Sequence, residues 1–143
     1  MSFSNLIFET EIYKIYTMNC PCCSGKIYSE CCEPFHKGID KAASAEALMR
    51  SRYSAFALAN GTYLWETTAP RMRKYYPEQE YQDWAVSNQW IKLEILSTPQ
   101  FNQVEFKAYF KNSEGINEVH HELSTFEKIN GKWYYVSGDF IED

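Results

Sequence analysis

A chain of 143 residues fits one domain, or one domain with a small appendage, and its 45% hydrophobic and 17% aromatic residues supply a core that excludes disorder over most of its length. A net charge of −5 argues against a protein whose main task is gripping phosphate backbones, so nucleic acid is not the expected partner. No apolar run approaches the ~20 residues needed to cross a bilayer, so no membrane span is expected.

The chain opens with MSFSNLIFETEIYK. It has no basic stretch ahead of an apolar one, and Glu9 and Glu11 interrupt the apolar run. No signal peptide is expected, and the cytoplasm, where thiols stay reduced, is the expected compartment. Leu6, Phe8 and Ile12 alternate imperfectly with Ile7, Glu9 and Glu11, a weak pattern for an edge strand over residues 5 to 16.

Residues 20 to 32 read CPCCSGKIYSECC and hold all five cysteines. Cys20, Cys22, Cys31 and Cys32 form a C-x-C-x8-C-C array, and a structural zinc takes four such ligands in a tetrahedron. A short helix over residues 24 to 30, capped by Ser24, would fold the second pair back onto the first. Four thiolates and one Zn²⁺ would move the formal charge by −4 + 2, from −5 to −7. Lys26, Lys37 and His36 are the expected compensating groups. Disulfides are the competing reading; a reducing compartment disfavours them, and adjacent Cys31 and Cys32 could pair only through a strained ring.

Beyond a linker marked by Gly38 and Asp40, Ser44 is a good N-cap and Gly61 a good stop, which predicts a helix over about residues 45 to 60. At 100° per residue Ala45, Leu48, Met49, Phe56 and Ala59 share one face, with Arg52 in the middle of it and Arg50, Ser51 and Ser54 outside. A guanidinium there must snorkel, find an acid, or bind an anion inside a pocket. Residues 63 to 86 read as two short helical pieces broken by Pro70 and Pro77, rich in Tyr and Trp.

From Trp90 the period changes to two. Runs at Ile91–Ile95, Val104–Phe110, Val119–Phe126 and KWYYVSGDF, with turn residues at Pro99, Glu114-Gly115 and Asn130-Gly131, predict an antiparallel meander of about four strands. Helices first and a curved sheet afterwards make an α+β domain. His120, Glu122, Ser124 and Phe126 share one face of the third strand. If that face is concave, Glu122 points at Arg52, and the expected site is a pocket holding Arg52, Glu122, Ser124 and His120 with a direct Arg52–Glu122 contact. His120 and His121 point to opposite faces and do not chelate one ion together; one of them is expected to face solvent.

CPCCSGKIYSECC resembles the SEC-C knuckle, known from the tail of the SecA translocation motor, at Cys20, Pro21, Cys22, Ser24, Gly25, Lys26, Tyr28, Cys31 and Cys32. It departs at Cys23, where the family has glycine. A position needing positive φ would strain a cysteine there, and Cys23 could instead replace Cys22 as ligand. With LMRSRYSAF, YLWETTAP, the Trp90 strand, ELSTFEK and GKWYYVSG, the knuckle resembles the YchJ-like family over roughly residues 20 to 138. The resemblance implies a SEC-C-like zinc knuckle at 18–38 and an NTF2-like domain at 39–143, a cone of N-terminal helices on the bent sheet, with residues 1–17 an extension. The family often reads T-W-H-P where this sequence has Thr67-Thr68-Ala69-Pro70. It also often carries a second, C-terminal knuckle, which these 143 residues do not repeat.

The resemblance implies two functions. One is a protein-interaction module acting through the knuckle, with Lys26, Ile27 and Lys37 as contacts. The other is a small-molecule enzyme of isomerase, dehydratase or hydrolase type that uses the NTF2-like cavity.

Overall fold

A computed structural model describes residues 17–142 of the chain. The edge strand considered over residues 5 to 16, and the question of a leader, lie outside the described residues.

The period-two segments form four strands, β1 (Gln89–Ser97), β2 (Gln103–Lys111), β3 (Asn117–Ile129) and β4 (Lys132–Phe140). They pair in sequence order, each antiparallel to the next. Val104, Phe106, Ala108 and Phe110 bury one face of β2, as strict alternation demands. Asn130 and Gly131 both take positive φ, 50° and 79°, which closes the β3–β4 hairpin. Register shifts beside Trp90, Ile95 and Thr125 mark irregularities of the kind that bend and twist the strands carrying them.

The helices are α1 (Glu33–His36), α2 (Ala45–Ala57), α3 (Gly61–Glu66) and α4 (Glu78–Ser87), with a 3-10 turn at Pro70–Tyr75. Ser44 caps α2 as expected, its hydroxyl accepting from the Ala47 N–H at 3.1 Å. The stop differs from expectation. Ala59, at φ 55°, turns the chain, and the Asn60 side chain accepts from the Tyr63 N–H, so Gly61 opens α3 instead of closing α2. The prolines break the next stretch where the sequence places them.

Leu48, Met49 and Tyr53 of α2 pack on Leu93, Val104, Phe106, Phe126 and Trp133 of the sheet. Full burial of each such side chain is worth roughly 1.5–3 kcal/mol. Backbone bonds from the Ala69 N–H to the Tyr135 carbonyl (2.8 Å) and from the Tyr135 N–H to the Thr67 carbonyl (2.7 Å) tie the helical layer to β4. α2 has a second buried face that a single apolar stripe does not reveal. Ser51 and Ser54, expected outside, are fully buried. Their small side chains let α3 and the knuckle approach closely, and the Ser51 hydroxyl is satisfied by the Leu48 carbonyl and the Tyr63 hydroxyl, at 2.8 and 2.6 Å.

Residues 24 to 30 are not the expected helix. The C-x-C turn sends the chain back alongside itself, so Asn19 bridges Ile27, and the Cys20 and Tyr28 N–H groups donate to the Lys26 and Met18 carbonyls at 2.8 and 2.7 Å. Only Tyr28–Glu30 makes a 3-10 turn, and Ile27 precedes it where a cap would sit. Ser24 accepts from the Lys26 N–H within the loop. No described helix is long and apolar enough to cross a membrane.

Candidate functional site

Two sites emerge, one of sulfurs and one a cavity. The sulfurs of Cys20, Cys22, Cys31 and Cys32 all lie within 4.8 Å of one another. Cys22 and Cys31 are 3.6 Å apart, and Cys31 and Cys32 are 3.9 Å apart. Four sulfurs bound tetrahedrally at ~2.3 Å from one ion stand roughly 3.8 Å from each other, so this set could bind a metal ion. All five cysteines are free thiols. In the thiol state, hydrogen bonds from Cys20 and Cys32 hold the Cys22 thiol far below its ordinary range. The bonds with Cys20 and Cys22, with burial added, push Cys32 up, and burial pushes Cys31 up.

Cys23 stands apart from the four. Its φ of 64° lies in the left-handed region, which accounts for glycine there in related knuckles. Its sulfur accepts from the Leu93 N–H of β1 at 3.4 Å, so geometry puts Cys22, and not Cys23, in the cluster. Ser24 and Ser54 hydroxyls approach the Cys31 and Cys20 sulfurs at 3.2 and 3.3 Å. The Arg50 guanidinium donates to the Cys22 carbonyl at 2.8 Å. His36 is not the compensating cation expected. Its ring bridges the Tyr28 hydroxyl (2.6 Å) and the Ser51 carbonyl (2.7 Å), and burial pushes its pKa down, favouring the neutral ring. Lys37 pairs with Glu33, and Lys26 is exposed.

The second site is a cavity of about 650 Å³ between α2, α4 and the inner face of the sheet. Arg52, His120, Glu122 and Ser124 all line it, as the face analysis expects. The arrangement among them differs. Arg52 neither snorkels nor pairs with Glu122. It is buried, and its guanidinium donates to the Leu64 carbonyl and the Thr67 hydroxyl at 2.7 Å each and to the Tyr81 hydroxyl at 3.1 Å. The Tyr135 ring lies 4.6 Å beneath it, and the hydroxyl of that same tyrosine donates to Glu122 at 3.4 Å. Tyr135 therefore takes the place of the direct contact. Burial, then the Glu122 charge, pushes the Tyr135 pKa up, so the phenol keeps its proton as donor.

Glu122 also accepts from Ser124 and bonds His120 Nε2 at 2.9 Å. On the opposite face His121 is buried rather than solvent-facing, because Glu105 of the neighbouring strand binds its Nε2 at 2.7 Å.

Several residues escaped sequence reasoning. Thr68 and Tyr81 bond each other at 2.8 Å on the wall, and Thr67 anchors Arg52; nothing in their spacing marks them. Gly138 had a signal, a glycine inside a strand pattern. It pairs with Ser124 across the ladder, and a Cβ there would collide with the Glu122 carboxyl group. Only glycine leaves room for that side chain.

The family profile described as YchJ, middle NTF2-like domain, matches residues 44–138. A UPF0225 protein of Geobacter sulfurreducens is 42% identical over 125 residues, spanning 83% of this chain and 77% of its own length. One from Corynebacterium glutamicum is 41% identical over 127 residues, spanning 84% and 95%. The solution structure of a SEC-C motif containing protein from Rhodopseudomonas palustris superimposes with a TM-score of 0.79 at 39% identity, covering 87% of this chain and all of that one. The crystal structure of a SEC-C motif containing protein from Psychrobacter arcticus gives 0.74 at 33%, covering 90% and 86%. With its cysteine cluster and its four-stranded α+β body, the chain belongs to the YchJ-like UPF0225 family.

Proposed function

We propose that this protein binds a small, mainly apolar molecule in the cavity of an NTF2-like domain (residues 39–143), with a zinc knuckle (residues 18–38) clamped to the back of α2. The observation that carries this reading is the cavity itself. Its ~650 Å³ falls within the range of ligand pockets, and its aromatic walls surround a few convergent polar groups at Glu122, His120 and Ser124. Zinc suits four thiolates in a closed shell and leaves no open position for chemistry, so its part is structural. Elemental analysis of protein purified under reducing conditions should give one zinc per chain.

The knuckle offers less to a protein partner than its resemblance implies. Its inner side is buried against α2, Ile27 is half-buried in the bridge to Asn19, and Lys37 is held by Glu33. Lys26 and Lys37 both stay exposed, Lys37 in a surface pair with Glu33, but the cavity gathers several polar groups inside apolar walls, which puts the weight of the reading there.

The test is a fragment screen by ¹H–¹⁵N chemical shifts against the metal-loaded chain and against Ala108→Leu, which narrows the cavity from the β2 side. Aromatic fragments should shift resonances of α2, α4 and β3 in the native chain and lose that effect in the variant. Binding that ignores the substitution overturns the proposal.

One observation favours a second reading, an enzyme. The His120 ring is fixed by a carboxylate inside a cavity, an arrangement that moves protons. His120 would take a proton from a substrate carbon or a water, and Glu122 would orient the ring. In that case His120→Gln keeps ligand binding and abolishes turnover; turnover that survives the change removes this reading.

A further inference from the structure

The charges on the cavity wall are lopsided. Among the described residues that line the cavity Arg52 is the sole lysine or arginine, whereas Glu80, Glu118, Glu122 and Glu142 bring four carboxyl groups. Arg52 keeps its charge, since its three partners are neutral, but it is buried against Leu64, Thr67 and Tyr81 and away from the exposed carboxylates, so the four carboxyl groups outnumber it and the mouth is acidic. His120, on the inner face, has Glu122 as a carboxylate of its own, and His121, whose side chain points to the other face of the strand, has Glu105. Glu80, Glu118 and Glu142 are exposed yet line the space, so they stand at its mouth.

The wall beside that mouth is aromatic. Trp84 stands at 70° to Trp90 and 71° to Phe110, with centroids 6.5 and 5.7 Å away, while Trp90 and Phe110 are 5.2 Å apart and tilted by 40°. Rings at these distances pack on one another, with Phe110 buried beneath them and Trp84, 46% exposed, left as the ring that faces the mouth. The Trp90 indole N–H is fixed by the Ala85 carbonyl at 3.1 Å, so its ring is held in place. Glu118 lies opposite Phe110 in the β2–β3 register, and Glu80 lies one helical turn before Trp84 on α4. Two carboxylates thus flank the ring cluster. Deeper in, the protein holds a cation of its own against ring faces, with the Arg52 guanidinium 4.6 Å from the Tyr135 centroid and 5.4 Å from that of Tyr81.

We infer that the cavity selects organic cations: an ammonium or quaternary ammonium group held at the mouth against the exposed Trp84 ring with Glu80 and Glu118, its apolar body reaching inward. This rests on the ligand-binding reading of the same cavity and narrows it to a chemical class. The physical basis is the attraction of a cation to ring faces, reinforced by carboxylates that leave an anion without a partner.

The experiment compares three probes of similar size on the full metal-loaded chain: benzyltrimethylammonium, benzyl alcohol and benzoate. Binding is followed by the indole N–H resonances of Trp84 and Trp90. Benzyltrimethylammonium should bind ~10-fold more tightly than benzyl alcohol, with benzoate weakest, and the margin should shrink as salt rises. The Glu80→Gln, Glu118→Gln double variant changes exposed positions only and should bring cation and alcohol to within ~3-fold of each other. Equal affinities in the native chain, a preference for benzoate, or a cation preference that survives the double variant would each overturn the cation inference, while binding of the neutral probe left the cavity reading standing. No shift from any probe at ~10 mM would overturn both.

Discussion

The knuckle and the body of this protein solve the same problem by different means. The body buries a contiguous apolar cluster between α2 and four strands, and side-chain packing is enough to order it. The knuckle has a core of Cys20, Cys22, Tyr28 and Cys32, a two-rung hairpin and helices of at most one turn. So little apolar surface does not offset the chain entropy of some twenty residues. The difference teaches where each half can take its order from: the sheet from its own packing, the knuckle from an ion that its four sulfurs could bind.

The largest expected effect breaks the comparison outright. Structural zinc is worth ~10–16 kcal/mol in small zinc-finger peptides. Chelation, or Cys32→Ser, should abolish hydrogen-exchange protection over the knuckle while the far-ultraviolet signature of the sheet persists. A protected knuckle in metal-free protein would show that packing orders both halves.

Leu48→Ala reverses the experiment. It opens a hole between α2 and the sheet and should destabilise the body by ~2–5 kcal/mol, read as a lowered denaturant midpoint, with metal content unchanged. Loss of metal along with stability would mean the two halves do not order separately.

Gly138→Ala acts inside the body, at its site. The added methyl displaces the Glu122 carboxyl group from Ser124 and Tyr135, at an expected ~1–3 kcal/mol, and ligand shifts at β3 should vanish. Unaltered binding would place the ligand away from Glu122.

The smallest effect lies at the seam. Cys23→Gly relieves a left-handed cysteine and gives up one weak bond to the Leu93 N–H, so it should stabilise by ~1 kcal/mol and leave one metal per chain. A fall in metal stoichiometry would make Cys23 a ligand.

Much of this was legible because it depends on local pattern. Period-two alternation located the strands, and Asn130-Gly131 located a hairpin. The four sulfurs that come together were legible from cysteine spacing and the resemblance. The placing of Arg52, Glu122, Ser124 and His120 on one cavity followed from helix and strand periodicity. What stayed hidden depends on elements meeting in space. Ser51 and Ser54 look like solvent-side residues until α3 and the knuckle cover them. Tyr135 gives no hint in sequence that its ring would take the Arg52 guanidinium and its hydroxyl the Glu122 carboxylate. The helix expected after Ser24 failed because backbone pairing across the C-x-C turn outcompeted a short helix with no apolar face to bury.

The two buried sides of α2 have a mechanical consequence. Ser54 touches the Cys20 sulfur, and Arg52, two positions earlier and so about 200° around the axis, rests on the Tyr135 ring. The helix is a beam clasped at both flanks. One rigid element therefore sets both the spacing of the sulfur cluster and the depth of the pocket floor, and a change on either flank is felt by the other through the same backbone.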